Sequence, residues 1–389
     1  MTDMSSLLIK NVLHDGRSTN ILVKDGRFEC MDAAPGAEAE KVLDAGGAAI
    51  LPAFYNTHTH AAMTLLRGYA DDMPLHSWLQ EKIWPFEDKL TAADIRHGSQ
   101  LAVREMIATG TVFFSDMYFD IDETIEVVEQ AGLRAAIGIT MMDNHPKVLK
   151  DEKAVRIRSW KDRDGLQLTV APHAIYTAGR DTLVEAARLA RENGRRIHIH
   201  LSETEKEVSD CVAQTGMTPV RYLDSIGFLG PDVIAAHCVH VDREEWDIMA
   251  SRGVTVSHCP CSNMKLGSGR FPYELALASG VRVTLGTDGC SSNNNLDMRE
   301  EMKIAALLAK VTGDASLLSA PQVLEWATRN GAEAFGLDGG VIARGKLADA
   351  VLVDLGGPKM QPCYNLVSNW VYSADSSSIK YVICNGKVL

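Results

Sequence analysis

Eight short apolar runs recur between about residues 50 and 335, and helix-patterned segments separate them; this alternation restricts the fold more than any other property of the chain. The runs span residues 48–60, 110–118, 133–140, 166–174, 195–203, 232–240, 253–263 and 281–289. Each has the length of one strand, and several are apolar throughout rather than alternating, as strands buried on both faces must be. The intervening "DETIEVVEQAG" and "DTLVEAARLARENG" carry a 3.6-residue apolar period, the second ending in Asn-Gly, a helix stop. Parallel strands joined by crossover helices follow from this pattern. Eight such units in under 300 residues predict a (β/α)8 TIM-type barrel, α/β in class, with a doubly wound open sheet as the runner-up.

The two chain ends have another texture. "LLIKNVLHDGRSTNILVKDGRFECM" at the start, with "GKLADAVLVDL" and "IKYVICNGKVL" at the end, alternates apolar and polar residues around Asp-Gly and Asn-Gly turns, which is hairpin chemistry. The expectation is a discontinuous β-sandwich domain from 1–50 and 338–389, packed beside a barrel of residues 51–337.

Composition narrows the partners. A net charge of −12, without a basic cluster, argues against a nucleic-acid partner. No apolar run reaches about 18 residues and the start lacks a basic region before an apolar one, so neither a membrane span nor a secretion signal is expected. Eight cysteines without regular spacing suggest reduced thiols and a cytoplasmic protein. The pair Cys259 and Cys261 lacks the two-residue gap of a redox or zinc motif and reads as small buried side chains. "GVIARGKL" at 340–347 imitates a phosphate loop, yet lacks Ser or Thr after Lys346 and falls in the β-domain. The sequence leaves a homo-oligomer open.

In a barrel enzyme the chemistry gathers at the carboxyl ends of the strands, and there the unusual residues fall: His58 and His60 on the first run, His173 on the fourth, His200 and Glu203 on the fifth, His237 and His240 on the sixth, Asp288 on the eighth. Residues i and i+2 share a strand face, so His58 and His60 point to one place. A lone histidine on a strand is more often a hydrogen-bonded core residue. Four donors converging from three strands instead predict a metal site of His58, His60, His200 and Asp288 with room for water. His198 shares the face of His200 one layer deeper and reads as a polar filler. His14, His76 and His97 have no partner signal and read as surface residues.

The motifs "NTHTHAAMTLLRGYADDMPLHSWLQEKIWPFE", "APHAIYT", "HIHLSETEKEV", "AAHCVHV", "SHCPCSNMKLGSG" and "TLGTDGCSSNNNLDM" occur in the order found in the amidohydrolase superfamily. The chain resembles, within it, the 5′-methylthioadenosine/S-adenosylhomocysteine deaminases. That resemblance implies one divalent metal on His58, His60, His200 and Asp288, usually zinc, with iron or manganese as alternatives. It implies that Glu87 grips the ribose hydroxyls, that His173 and Trp78 contact a nucleoside substrate, and that Glu203, His237 and Asp288 carry the catalysis. Binuclear relatives use a strand-four lysine, and "LQLTVAPHA" has none.

The implied reaction is hydrolytic deamination of an adenosine-type nucleoside to the inosine analogue and ammonia, with Glu203 shuttling the proton. The 5′ substituent is open among methylthioadenosine, S-adenosylhomocysteine, 5′-deoxyadenosine, adenosine and an aminofutalosine-like nucleoside. The basic residues of "MMDNHPKVLKDEKAVRIRSW", after strand three, do not align with an arginine clamp for an amino-acid carboxylate. The competing readings are another amidohydrolase acting on guanine, a pterin or a triazine, and a non-catalytic metal- or nucleoside-binding barrel.

Overall fold

The structure, a computed structural model, describes residues 6–143, 150–163 and 165–389. Eight parallel strands follow one another around a barrel: β1 (Phe54–Thr59), β2 (Thr111–Tyr118), β3 (Arg134–Met141), β4 (Leu166–Pro172), β5 (Arg196–Leu201), β6 (Val233–His237), β7 (Thr255–His258) and β8 (Arg282–Leu285). Almost every strand residue is buried, because helices cover the outer face and side chains fill the inner one. The two periodic segments form the helices Ile121–Ala131 and Arg180–Glu192; the first ends on left-handed Gly132, and Gly194 follows the second.

Side chains and one backbone bond close the ring between β8 and β1. Asp288 N–H donates to the His58 carbonyl at 3.0 Å, and Thr57 Oγ1 donates to the Leu285 carbonyl at 2.9 Å. Asn56 exchanges two bonds with Thr287, at 2.7 and 3.1 Å. Gly286 makes this approach feasible: a Cβ there would lie 2.8 Å from the His58 Cβ and 2.9 Å from its backbone nitrogen, so any side chain would force the two strands apart.

The chain ends build a second eight-stranded sheet. Its order runs Lys387–Val388, Ile379–Cys384, Ala350–Val353, Ala49–Pro52, Ser6–His14, Arg17–Lys24, Arg27–Cys30, with Lys41–Asp44 also beside Ser6–His14. Leu7, Ile9, Ile21, Phe28, Ile50 and Ile383 belong to a core separate from that of the barrel. The apolar run 48–60, expected as one strand, is two. Ala49–Pro52 pairs with Ala350–Val353 in the small sheet, and β1 begins at Phe54, whose N–H donates to the Gly110 carbonyl at 2.9 Å.

A buried polar cluster joins the amino-terminal end of the barrel to this sheet. The Arg134 guanidinium meets Asp349, both almost without exposure; Asp349 also accepts from the Tyr55 hydroxyl at 2.5 Å and from Asn385 N–H at 2.7 Å. Burial and the adjacent carboxylate push the Tyr55 phenol well up. Removing one partner from such a pair strands the other in a dry interior. Arg134→Met is therefore expected to lower unfolding free energy by about 3–5 kcal/mol, read by urea titration, and Arg134→Met with Asp349→Leu to recover most of it. A single variant as stable as the parent would refute the argument.

Candidate active site

Side chains at or just after β1, β4, β5, β6 and β8 meet at the carboxyl end of the barrel. His58 and His60 lie on one face of β1 and its exit, with rings 4.9 Å apart and nearly perpendicular. Asp288 follows β8 and His200 stands on β5; the donor atoms of these four residues all lie within 4.8 Å of one another, and every one of the four is buried. His60 Nε2 is 3.3 Å from His200 Nε2 and 3.2 Å from Asp288 Oδ1, and His58 Nε2 is 3.4 Å from the same oxygen.

The hydrogen bonds behind the rings fix what the front atoms can do. His60 Nδ1 donates to the Met117 carbonyl and His200 Nδ1 to the His173 carbonyl, each at 2.7 Å. A carbonyl can only accept, so in the neutral rings both Nε2 atoms carry bare lone pairs, aimed at one another. His58 Nδ1 bonds His198 Nε2 at 2.8 Å, and His198 Nδ1 bonds Ser115 Oγ at 3.2 Å; His58 Nε2 has no hydrogen-bond partner in its buried position. Converging lone pairs, an orphaned buried nitrogen and a carboxylate are the donor set of a divalent cation. Burial lowers His58 to about 4, whereas for His60 the Asp288 carboxylate outweighs burial and lifts the ring to about 9. Among the described residues this is the metal-competent cluster present.

Asp288 is itself held. Its Oδ2 accepts from Ser262 Oγ at 2.6 Å and Ser292 Oγ at 3.0 Å, and Oδ1 from Gly289 N–H at 2.8 Å. Burial alone would raise its pKa, but the neighbouring His58 and His60 rings keep it well below the usual range. Ser202, His237 and Asp288, all at strand ends and none a glycine, adopt left-handed backbone, a local cost that accompanies functional positions.

Beside this cluster opens a cavity. It is lined by His60, His200, Glu203, His237, Asp288 and His173 at its floor, and by Glu87 and Trp78 from the segment after β1. Glu203 is buried, which raises its carboxyl; Oε1 accepts from Ser268 Oγ at 3.3 Å and Oε2 lies 3.8 Å from His237 Nε2. His237 Nδ1 is 2.8 Å from Asn263 Oδ1, so with the amide oxygen assigned toward the ring Nε2 is left for the cavity. Glu87 is buried facing Tyr118, whose phenol burial and that carboxylate raise. Trp78 Nε1 donates to the Ala70 carbonyl at 3.1 Å.

Of the sequence-predicted residues, His240 stays outside the cavity and bonds the Ser268 carbonyl at 2.5 Å. The reading of His198 as a filler understates it, since it is the partner of His58 Nδ1. His76, expected at the surface, is half-buried with its ring 5.7 Å from that of Tyr176. Sequence reasoning missed Ser262, Ser292, Asn263, Asp116 and Glu207. Asp116 Oδ1 accepts from Ala61 N–H at 2.7 Å beside His60, and burial lifts its carboxyl to about 6; an acid inside an apolar strand was the available signal. Glu207 accepts from Ser202 N–H at 2.9 Å and Glu203 N–H at 2.8 Å. Burial carries its carboxyl to about 7 against the backbone bonds that favour the charged form.

A (β/α)8 barrel with three histidines and an aspartate converging at the carboxyl ends of its strands defines a barrel hydrolase with a metal site. The model of the amidohydrolase family matches residues 49–389. The chain belongs to the amidohydrolase family. A 5′-deoxyadenosine deaminase of Methanosarcina mazei is 43% identical over 401 residues, covering 99% of this chain and 93% of its own. A 5-methylthioadenosine/S-adenosylhomocysteine deaminase of Archaeoglobus fulgidus is 47% identical over 357 residues, covering 90% and 85%. The crystal structure of an adenosine deaminase from Xanthomonas campestris with bound zinc superposes with a TM-score of 0.92 at 35% identity, over 99% of this chain and 92% of the other.

Proposed function

We propose that the chain hydrolytically deaminates an adenosine-type nucleoside, releasing ammonia and the inosine analogue. The observation that carries this reading is a buried glutamate, Glu203, lining the same cavity as His60, His200 and Asp288, with its carboxyl raised by burial. The named relatives, similar over nearly their whole lengths, support the same class.

His58, His60, His200 and Asp288 would hold a divalent ion, zinc in preference to iron or manganese, which would supply Lewis acidity that brings the pKa of a water to about 7. Asp288 takes the first proton from the attacking water at its carboxylate. Glu203 gives a proton to the ring nitrogen next to the amine-bearing carbon and then carries the second water proton to the leaving amine, so that ammonia departs and the carbonyl forms; the proton on Asp288 then passes to Glu203 and restores the starting state. His237 Nε2 accepts a hydrogen bond from the water and orients it. Glu87 accepts from the ribose hydroxyls, and Trp78 and His173 hold the nucleoside against the floor.

The 5′ end is an uncharged, apolar group in this reading. Leu75, Leu79, Phe119, Met142 and Leu266 line the cavity, and no lysine or arginine appears among its described lining residues. In the segment after β3, Arg156 is engaged by Asp122 and Lys153 gives its ammonium to the Thr140 carbonyl; residues 144–149 of the sequence-predicted loop lie outside the described residues. The test is the loss of absorbance near the adenine maximum, with ammonia release, across a panel of 5′-modified adenosines. Expected is kcat/KM for 5′-deoxyadenosine and methylthioadenosine above that for S-adenosylhomocysteine by about tenfold or more, the cost of desolvating an unpartnered amino-acid group. Unchanged absorbance across the panel would remove the deaminase reading; a preference for S-adenosylhomocysteine would remove the apolar 5′ group alone.

A further inference from the structure

Glu203 follows directly on a left-handed residue, Ser202 at φ 49°. A residue in that conformation turns two successive backbone N–H groups to one side, a concavity that binds anions. Here the occupant comes from the chain itself. The two oxygens of Glu207 each take one N–H, Ser202 at Oε1 and Glu203 at Oε2, and the side chain is 2% exposed.

Glu207 is in turn anchored at both ends. It lies in the first turn of the helix Glu205–Thr215, whose cap residue Thr204 accepts the Glu207 N–H at its hydroxyl, 3.2 Å away. The opposite side of the turn is tied by His240 N–H, which donates to the Ser202 carbonyl at 2.9 Å. The peptide between Ser202 and Glu203 is therefore gripped from two directions. The Glu203 side chain extends from this peptide, its carboxylate met by Ser268 and facing His237.

We infer that Glu207 is a positioning residue for the reaction: its bidentate hold on the two N–H groups fixes the backbone from which Glu203 reaches the substrate. The inference rests on the reading of Glu203 as proton carrier. A carboxylate suits this place and an amide does not, because glutamine presents one acceptor and one NH₂ group, and the NH₂ would oppose a backbone N–H. The peptide must then shift, and a displacement of about 1 Å at a reacting group can cost on the order of 100-fold in rate.

The experiment compares Glu207→Gln, Glu203→Gln and the double variant in the metal-loaded enzyme, with metal content and thermal midpoint measured on each. Expected for Glu207→Gln is a kcat about 10- to 100-fold lower, with KM within about threefold and the metal content of the parent. In the Glu203→Gln background the same change should alter kcat by less than about twofold, because the group it positions has already lost its chemistry. A full multiplicative loss in that background would mark Glu207 as merely structural and overturn the inference. Wild-type turnover by Glu207→Gln beside a slow Glu203→Gln overturns it alone, whereas wild-type turnover by Glu203→Gln overturns the proton-carrier reading and the inference with it. Should Glu207→Gln not accumulate as folded protein, Glu207→Asp replaces it; its shorter arm keeps the charge and withdraws the oxygens, with the same expectations.

Discussion

Glu203→Gln lowers kcat by about 10²- to 10⁴-fold and leaves the metal content of the protein and the KM for nucleoside close to those of the parent. The size follows from the role. An amide of the same shape still occupies the floor of the cavity and can still accept from Ser268 Oγ, but it cannot give a proton to a ring nitrogen or carry one to a departing amine. Burial favours the protonated form of Glu203 while His237 opposes it. The measurement is steady-state turnover by absorbance, with metal analysis of the same sample. A second substrate sharpens it. A purine nucleoside carrying chloride in place of the amine needs no proton on its leaving group, so the variant should lose less on that substrate. Equal loss on both would remove the role in leaving-group protonation, and unchanged turnover on the natural amine would remove the proton-carrier role altogether.

The residues that carry this prediction differ in how openly the sequence displays them. His58 and His60 are legible because strand parity is strict: two residues apart on one strand means one face, whatever the rest of the chain does. The barrel is legible because strands buried on both sides must be apolar throughout. That same rule hides the boundary between the two sheets. Ala49–Leu51 and β1 are both buried, so the run 48–60 shows no polar break although the chain changes partners at Ala53, whose N–H donates to the Asp349 carbonyl at 3.3 Å.

The supporting polar groups are hidden for a different reason. Glu207 sits in "SETEKE", where a run of acids at a helix start reads as ordinary capping, and only the left-handed turn at Ser202 makes it a clamp. Ser262, Ser292 and Asn263 are common loop and helix-start residues; Ser262 and Asn263 meet Asp288 and His237 from other strands, and Ser292 reaches back four residues to Asp288. His198 looks like filler until its hydrogen bond to His58 Nδ1 is known. Donors that face the reaction follow from strand geometry; the groups that fix those donors follow from tertiary contacts that no local spacing records.

Removing the metal should be the more drastic change, because it takes away the chemistry of four residues at once. Dialysis against a strong chelator is expected to release about one equivalent of divalent metal per chain and to abolish turnover, and zinc is expected to restore it, with iron or manganese restoring a different fraction. His200→Ala should do the same irreversibly, leaving less than about 1% of the activity at any zinc concentration that the folded protein tolerates, since it deletes one of the four donors. A readout besides activity comes from stability. With the lone pairs of His60 and His200 Nε2 held 3.3 Å apart and a buried carboxylate beside them, the metal-free cluster must take up a proton or open. Binding to the folded state alone stabilises it by about 4 kcal/mol when free metal is about 1,000 times the dissociation constant. The thermal midpoint of the chelated protein should therefore fall by several degrees and return on adding zinc, while that of His200→Ala should not respond. His198→Ala lies between these cases: it keeps all four donors but frees the His58 ring, and a loss of about 10- to 100-fold in metal affinity is expected. Full turnover by protein shown to hold no metal would refute the metal site; a midpoint indifferent to chelation, with activity lost, would show that the cluster tolerates being empty better than its geometry implies.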